Sequence, residues 1–403
     1  MSRSSGLCRA VVGALLVLVM VACSRPDTSG SPRTVRIGVV GPFEGPNAHI
    51  GEMIMNSVRL YFNQHPNDSL RVELVPIDTK SNPASAVAAL QSSVPDSSLV
   101  ALIAFYHSST ALAGKPIIQD AKIPTLIYSA SNPAVTDSAP YYFRLVPTDD
   151  NQAIVLTDFA KSLGARSVAI LYFADEYGRG LSDGIQARAR QENIPVVATQ
   201  SYDESTTDFR PVLTVVRNRK PDVVLICGFV EKSIAILNQA AERGVRTTFL
   251  AGDGTFNEEQ LVQGAGANAE GVYVAAPFVF DDSNVKNRTF LEAYWTAYDR
   301  GGTRQKPAPW TAYAYDAAGI LDRALRAGHR DRPSIHRYLD RMRDSANAYD
   351  GITGQTYFNR DGNAVGRRFG LAVVRDGRFA NAASDSARSG KPAGEALVDS
   401  AVR

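Results

Sequence analysis

From residue 34 onward, short apolar runs alternate with segments whose apolar residues recur at helical spacing. Such runs predict buried strands, and the segments between them predict helices. A strand, a helix and a further strand in this rhythm favour parallel pairing with right-handed crossovers. In the first block the predicted strands are 35–40, 72–77, 99–103 and 124–128, and the predicted helices include 52–62 and 83–90.

A strand-like stretch at 141–147 interrupts this rhythm, and a second block of similar size follows it. Asp149 and Gln152 are spaced like a capping box, which predicts a helix start. The predicted strands of this block are 167–173, 196–199, 223–227 and 248–250, and its predicted helices are 149–163, 175–191, 209–217 and 231–243, with Gly244 as C-cap.

A strand at 272–276 then leads into three helical stretches at 284–298, 310–326 and 334–342. Short strands follow at 355–358 and 369–374. Three long helices after a second complete block indicate that the chain returns to the first one. The prediction is therefore an α/β fold with two doubly wound parallel-sheet lobes. Lobe 1 comprises 34–145 plus 277–365, and lobe 2 comprises 146–276 plus 366–383.

Both ends of the chain differ from this pattern. Arg3 and Arg9 precede an apolar run that is too short to span a bilayer and that ends just before Cys23. This arrangement resembles a bacterial lipobox, which predicts a lipoprotein signal peptide at 1–22 and lipidation of Cys23. An ordinary secretory signal with a chance Cys is the alternative. Residues 23–33 are predicted to be a flexible tether, and 384–403, poor in large apolar residues, a disordered tail.

Composition narrows the function classes. The 403 residues are 44% hydrophobic and 21% charged, with a net charge of +2, which is ordinary for a folded protein and does not suggest nucleic-acid binding. Cys227 is alone in an apolar run and is predicted to be a small buried residue without a disulfide. The sequence contains no zinc spacing, no nucleophile elbow and no phosphate-binding glycine loop, so neither a metal, nor a cofactor, nor an enzyme is expected.

Candidate binding residues lie in loops after the predicted strands, where open α/β sheets bind ligands. Ser108 and Ser109 stand at a helix start, where they either cap backbone N–H groups or help to hold an anion. A second hydroxyl-rich turn follows the fourth strand, and Asp253, between two glycines, is either a turn residue or the partner of an ammonium group. Aromatic residues that either close over a ligand or pack in the core are Tyr177, Phe229 and Trp310.

Several short motifs occur in a fixed order between about residues 35 and 378. They include 37–42, 108–110, 131–133, 143–144, 176–178, 252–254 and 315–317. Together they resemble the leucine/isoleucine/valine-binding protein family, which comprises type I periplasmic binding proteins that serve ABC transporters. The resemblance implies two lobes joined by three crossovers that close on a small ligand.

The resemblance also implies roles for single residues. Ser129 and Ser131, with Ala130 between them, match positions that hold the carboxylate and amine of an amino acid. Asp253 matches an acidic residue that pairs with the ammonium group. Lining positions matched by the family are Ile50, Tyr177 and Phe229.

The sequence departs from the family at the first turn. His107 stands where amino-acid binders commonly have a Ser, and Tyr106 stands where some members have a Cys. A neutral or protonated imidazole can still bind an anion, so His107 is retained as a binding residue, and an amide, a urea or an aromatic acid joins the expected ligands.

These features predict an extracytoplasmic lipoprotein that delivers a small polar ligand to ABC permease subunits and is held to the membrane through Cys23. A ligand-sensing receptor of the same fold, without a transport role, is the alternative.

Overall fold

The computed structural model describes residues 33–382. The predicted signal peptide, lipidation site and tail lie outside these residues, as does the predicted tether except for Arg33, where the first strand begins. Within the described range, no helix is both long and apolar enough to cross a membrane.

The first part of the chain forms a five-stranded parallel sheet in the order β2-β1-β3-β4-β5. Every residue of β3 is buried, as its uninterrupted apolar run predicts for a strand covered on both faces. The elements in chain order are β1 (Arg33–Gly41), α1 (Ala48–Gln64), β2 (Leu70–Asp78), α2 (Pro83–Ser93), β3 (Leu99–Ala104), α3 (Ser108–Asp120), β4 (Thr125–Ile127) and β5 (Tyr142–Arg144).

The second part forms the parallel strands β7-β6-β8-β9-β10 of a seven-stranded sheet. Two late strands extend this sheet in antiparallel fashion beyond β10. The elements are α4 (Asp149–Ser162), β6 (Val168–Phe173), α5 (Glu176–Gln191), β7 (Val196–Tyr202), α6 (Arg210–Arg219), β8 (Val223–Cys227), α7 (Val230–Glu242), β9 (Thr248–Ala251), α8 (Glu258–Ala265) and β10 (Tyr273–Ala276).

The chain then returns to the first sheet, as predicted. The apolar face of α10 packs in one core with β1, β3 and α1, and nearly all its residues are buried. The remaining elements are α9 (Val285–Tyr298), α10 (Pro309–Arg326), α11 (Arg332–Asp340), β11 (Tyr349–Gly351), β12 (Gly354–Thr356), β13 (Gly370–Arg375) and β14 (Arg378–Asn381).

The predicted fold class, α/β with two doubly wound lobes, is confirmed. Below, lobe 1 denotes the five-stranded sheet with the helices packed on it, and lobe 2 the seven-stranded sheet with its helices. The residue boundaries drawn from the sequence stay a prediction. The chain passes between the lobes three times: from β5 to α4, from β10 to α9, and from β12 to β13.

The first and third crossings are joined to each other. The backbone N–H of Arg144 donates to Gly362 O at 2.7 Å, and the N–H of Ala364 donates to Arg144 O at 2.8 Å. The Arg144 side chain is fully buried, and its guanidinium donates to Asn363 Oδ1 at 2.8 Å and to Asn132 O at 2.6 Å. Because the buried Arg144 guanidinium of the first crossing donates to acceptors in the third crossing and in lobe 1, it holds both crossings in place relative to lobe 1.

Several short elements were not predicted from the sequence. These are α8, the hairpin β11–β12 and the edge strand β14, each of eight residues or fewer. The predicted strand 141–147 is only three residues long, and the prediction at 355–358 overlaps β12 only at its start. Elements this short carry too few apolar positions to show a period.

Candidate functional site

Loops from the carboxyl ends of both sheets meet around a small cavity. Eight of the predicted binding residues line it: His107, Ser108, Ser129, Ser131, Tyr177, Phe229, Asp253 and Trp310. Tyr106 and Gly254 complete the lining. From the sequence alone, Tyr106 is recognisable only as a departure from the family, although it lies in the same turn as His107.

Three predicted binding residues do not line this cavity. Ile50 and Ala130 are buried in the cores of lobe 1, and Ser109 is half-buried on α3. Ser109 and Ala130 are next to residues that line the cavity, and Ile50 lies in the first turn of α1, just after a loop. The sequence therefore predicts which loops are near the cavity better than which side chains line it.

The turn before α3 differs from its prediction in one respect. The N-cap of α3 is His107, and no side chain caps the helix, so the capping role considered for the hydroxyls is wrong. Thr110 Oγ1 instead donates to His107 O at 2.9 Å, and Ser108 Oγ accepts the N–H of Asn132 at 3.2 Å. The first turn of this 13-residue helix therefore stands beside the cavity with its backbone N–H groups uncapped by side chains.

His107 is buried, and its Nδ1 has no hydrogen-bond partner among the described residues. Burial lowers the pKa of His107 to about 4, so the imidazole is neutral at pH 7. A neutral imidazole offers one donor and one acceptor, which suits an uncharged polar group as well as an anion. Trp310 Nε1, on the same side of the cavity, is a second buried donor without a partner in the described chain.

The opposite wall, from lobe 2, is built around Asp253. Tyr177 Oη donates to Asp253 Oδ1 at 2.7 Å, and Gln152 Nε2 donates to the same oxygen at 3.0 Å. The backbone N–H of Asp253 donates to Gln152 Oε1 at 2.8 Å, and that of Gly254 donates to Tyr177 Oη at 3.1 Å. These bonds fix the carboxylate, while its Oδ2 receives none of them. Burial raises the pKa of Asp253, although the bonds from Tyr177 and Gln152 oppose this shift.

Asp149 is a further acidic residue here, and the sequence pattern indicates it only as a helix start. The N-cap of α4 is Thr148, and Asp149 Oδ1 accepts from Gln152 Nε2 at 2.9 Å. The capping-box prediction is therefore wrong, because both side chains turn toward Asp253 instead. The i, i+3 spacing of a carboxylate and an amide at a helix start fits both arrangements, so only the position of Asp253 in space distinguishes them.

Aromatic rings form the apolar part of the wall. The Phe229 ring lies 5.3 Å from that of Tyr177 in lobe 2, and 5.2 Å from the imidazole of His107 in lobe 1. Tyr106 contacts Trp310 edge to face at 5.0 Å between ring centroids. Rings whose edges and faces surround a carboxylate favour a ligand with a cationic group and an apolar body.

The lobes are in direct contact around the cavity. Asn132 Nδ2, from the loop after β4, donates to Glu176 O at the start of α5 at 2.5 Å. Only about 20 Å³ of the cavity admits the centre of a water molecule, which is room for one or two waters. The structure is thus a closed arrangement of the two lobes. No group of side chains in residues 33–382 is suited to hold a metal ion.

Comparison with known proteins agrees with this architecture. An amino acid binding protein from Pseudomonas aeruginosa is 25% identical over 314 residues, which cover 74% of this chain and 80% of that protein. The leucine-specific-binding protein from Salmonella typhimurium is 24% identical and covers 84% of this chain and 90% of its own. A crystal structure of a leucine binding protein from Thermotoga maritima has a TM-score of 0.79 at 27% identity, with 86% and 97% of the two chains covered.

A more distant structure shares the fold with a different ligand. The solute binding protein of an ABC transporter from R. palustris, solved in complex with benzoate, has a TM-score of 0.76 at 19% identity and covers 86% of this chain and 95% of its own. The profile of the family described as "Periplasmic binding protein" matches residues 34–378. The chain, with its two type I lobes closed over a cavity, therefore belongs to the periplasmic binding protein family.

Proposed function

We propose that this chain is an extracytoplasmic substrate-binding lipoprotein of an ABC importer, which captures a small polar ligand between its lobes and delivers it to permease subunits. The ligand is an amino acid or a related amide, urea or acid. The single observation that carries this proposal is the placement of Asp253 and its aromatic surroundings opposite the hydroxyl groups and uncapped helix start of lobe 1. A carboxylate on one side and N–H and O–H donors on the other complement a zwitterion.

The relatives support the same ligand class, since amino acids and leucine appear in their names. The benzoate complex of the R. palustris protein supports the inclusion of acids that lack an amine. His107 favours this wider class, because a buried neutral imidazole does not require a carboxylate partner.

Calorimetry tests the ligand class. The mature protein is titrated with L-amino acids, their amides, urea and benzoate, and we expect saturable binding of at least one compound. Asp253→Asn keeps the shape of the side chain but removes its charge, so an amine-bearing ligand should bind about 2–5 kcal/mol more weakly, or about 30-fold to several thousand-fold. The matched control is Asp183→Asn, which removes an exposed carboxylate on α5 and should leave affinity unchanged. Flat titrations throughout, or an unchanged affinity of Asp253→Asn for an amine, would contradict the proposal.

The lipid anchor has its own test. Expressed with its native leader in a bacterium, the protein should be found in the membrane fraction and carry a mass increase at Cys23, whereas Cys23→Ala should be released in soluble form. Recovery of the unmodified protein in the soluble fraction in both cases would leave only the secretory-signal alternative. Stimulation of ATP hydrolysis by the reconstituted permease would support transport, and its absence with intact ligand binding would favour a sensing role.

A further inference from the structure

Two carboxylates meet at one amide in lobe 2. The Nε2 of Gln152 donates to Asp149 Oδ1 at 2.9 Å and to Asp253 Oδ1 at 3.0 Å. An amide nitrogen carries two hydrogens, so each carboxylate receives one of them. Because both oxygens lie within 3.0 Å of the same nitrogen, they are no more than about 6 Å from each other.

Burial makes two negative charges at this separation costly. Asp149 is 1% exposed, Gln152 is fully buried, and Asp149 Oδ2 has no hydrogen-bond partner among residues 33–382. A buried carboxylate oxygen without a donor costs more when it is charged than when the acid is neutral. Burial raises the pKa of Asp149 well above the usual range, and the nearby Asp253 carboxylate raises it further, although a hydrogen bond from the Ser131 hydroxyl opposes the shift.

Few of the surrounding groups can neutralise the pair. Arg144 is the one cation that faces it, and its Coulomb effect favours ionisation of Asp149, but its guanidinium nitrogens donate to amide, carbonyl and hydroxyl oxygens and form no ion pair within the described chain. Asp150 adds a further negative charge. Burial raises the pKa of the remaining facing groups, so they stay uncharged at pH 7: Tyr106, Tyr177, Cys227 and Tyr313.

We propose that Asp149 and Asp253 share one proton in the empty protein, and that a cationic group of the ligand displaces this proton when it binds at Asp253. The inference rests on the proposed function, because it requires an amine-bearing ligand. In the exchange, one carboxylic O–H bond is broken and its proton passes to water, while the ammonium group takes its place as the neutralising charge. Asp149 and Gln152 are positioning residues, since they act on the ligand through Asp253.

This arrangement makes affinity depend on pH and on the ligand's charge. At pH values below the pKa of the shared proton, the affinity for an amine should rise about tenfold per pH unit, because each binding event releases one proton. Above that pH the affinity should be constant. A ligand without a cation, such as benzoate, has no charge with which to displace the proton and should release none.

The first test needs no ligand. Carbon-13 NMR of the mature protein, labelled at the aspartate carboxyl carbons, follows each titration, with Asp149→Asn and Asp253→Asn for assignment. We expect one resonance of the pair to titrate at least about 1 pH unit above the usual Asp value near 3.9. In Asp149→Asn, the titration of Asp253 should move down, while Asp183→Asn should leave it unchanged. If both carboxyl groups of the pair titrate independently near pH 4 in the unsubstituted protein, the inference is overturned. This result does not require that either variant folds.

The second test counts protons with L-leucine as the probe. Calorimetry at pH 6 in phosphate and in a buffer of high ionisation enthalpy should give different heats, equivalent to release of up to one proton per bound leucine. Asp149→Asn should reduce this number toward zero while it still binds leucine. Equal heats in both buffers for the unsubstituted protein would overturn the proton exchange without touching the proposed function. Absence of leucine binding would count against the proposed ligand class, and the NMR titration would then decide the inference.

Discussion

Gly180, on α5 of lobe 2, faces Asn132 of lobe 1 across the closed cleft. A Cβ atom at position 180 would overlap Asn132 Nδ2 and lie 3.2 Å from its Cγ. The Asn132 side chain cannot easily turn away, because its Oδ1 accepts the N–H of Ala134 at 2.9 Å and its Nδ2 donates to Glu176 O. The substitution Gly180→Ala should therefore hinder closure rather than folding.

The magnitude follows from the contacts that change. Forcing a methyl group into a close-packed contact costs about 1–3 kcal/mol, and loss of the Asn132–Glu176 hydrogen bond alone would cost about 0.5–1.5 kcal/mol. Both terms apply only when the lobes are closed. Affinity should fall by about 1–3 kcal/mol, or about 5-fold to 150-fold. The empty open protein escapes this clash, and alanine in place of glycine within a helix should stabilise it by up to about 1 kcal/mol.

Calorimetry with the tightest-binding amino acid measures the affinity, and urea unfolding without ligand measures the stability. Gly184→Ala is the matched control: it lies on the same helix, but its Cβ would meet Ala153 Cβ at 3.0 Å inside lobe 2. Its affinity should stay unchanged. Adding Asn132→Ala removes the obstructing side chain, so Gly180→Ala should then cost little more affinity. The reasoning is refuted if Gly180→Ala binds the ligand as tightly as the unsubstituted protein and gives the same small-angle scattering profile with ligand bound.

Three further predictions concern buried polar groups. Burial in the closed structure lowers the pKa of His107 to about 4, so with a saturating ligand the folded protein binds fewer protons here than the unfolded chain, and about 3 kcal/mol of stability should be lost as the pH falls from about 6.5 to 4; urea unfolding with ligand present should show a smaller loss for His107→Asn, and an identical pH dependence would contradict it. Arg144→Met removes the charged donor from Asn132 O and Asn363 Oδ1, which keep only the bonds from the Val135 N–H and from Thr136 Oγ1, and should destabilise the protein by about 1.5–3 kcal/mol, measured by the same method; a loss under 1 kcal/mol would speak against this role. Burial raises the pKa of the Cys227 thiol, so iodoacetamide should modify it only after unfolding; rapid alkylation of the native protein would show that the site opens.

The sequence predicted the fold where segments were long and their apolar patterns clear. β3 and β8 are buried throughout, and their uninterrupted apolar runs showed this directly. Short elements such as α8 and β14 depend on contacts with the rest of lobe 2 and carry little local signal. These short elements form because of tertiary contacts, which cannot be recognised from a single sequence.

The loops that form the cavity were also predictable, because parallel strands present their carboxyl ends to one edge. The conformation of single side chains was not. Asp149 and Gln152 satisfy the pattern of a helix start, and only the position of Asp253, about 100 residues later in the chain, turns them to another use. Likewise, Ala130 follows Ser129 in the same turn but points into the core, which depends on the turn's geometry.

The hydrogen bonds to the Asp253 carboxylate come from Gln152 and Tyr177, which belong to lobe 2. This half of the proposed site is complete whether the lobes are apart or together. A ligand recognised at Asp253 would therefore dock on lobe 2 first, and lobe 1 would close behind it. The association rate would then depend on the residues of lobe 2. The residence time would depend on the hydrogen bond between Asn132 and Glu176, which must break before the ligand is released.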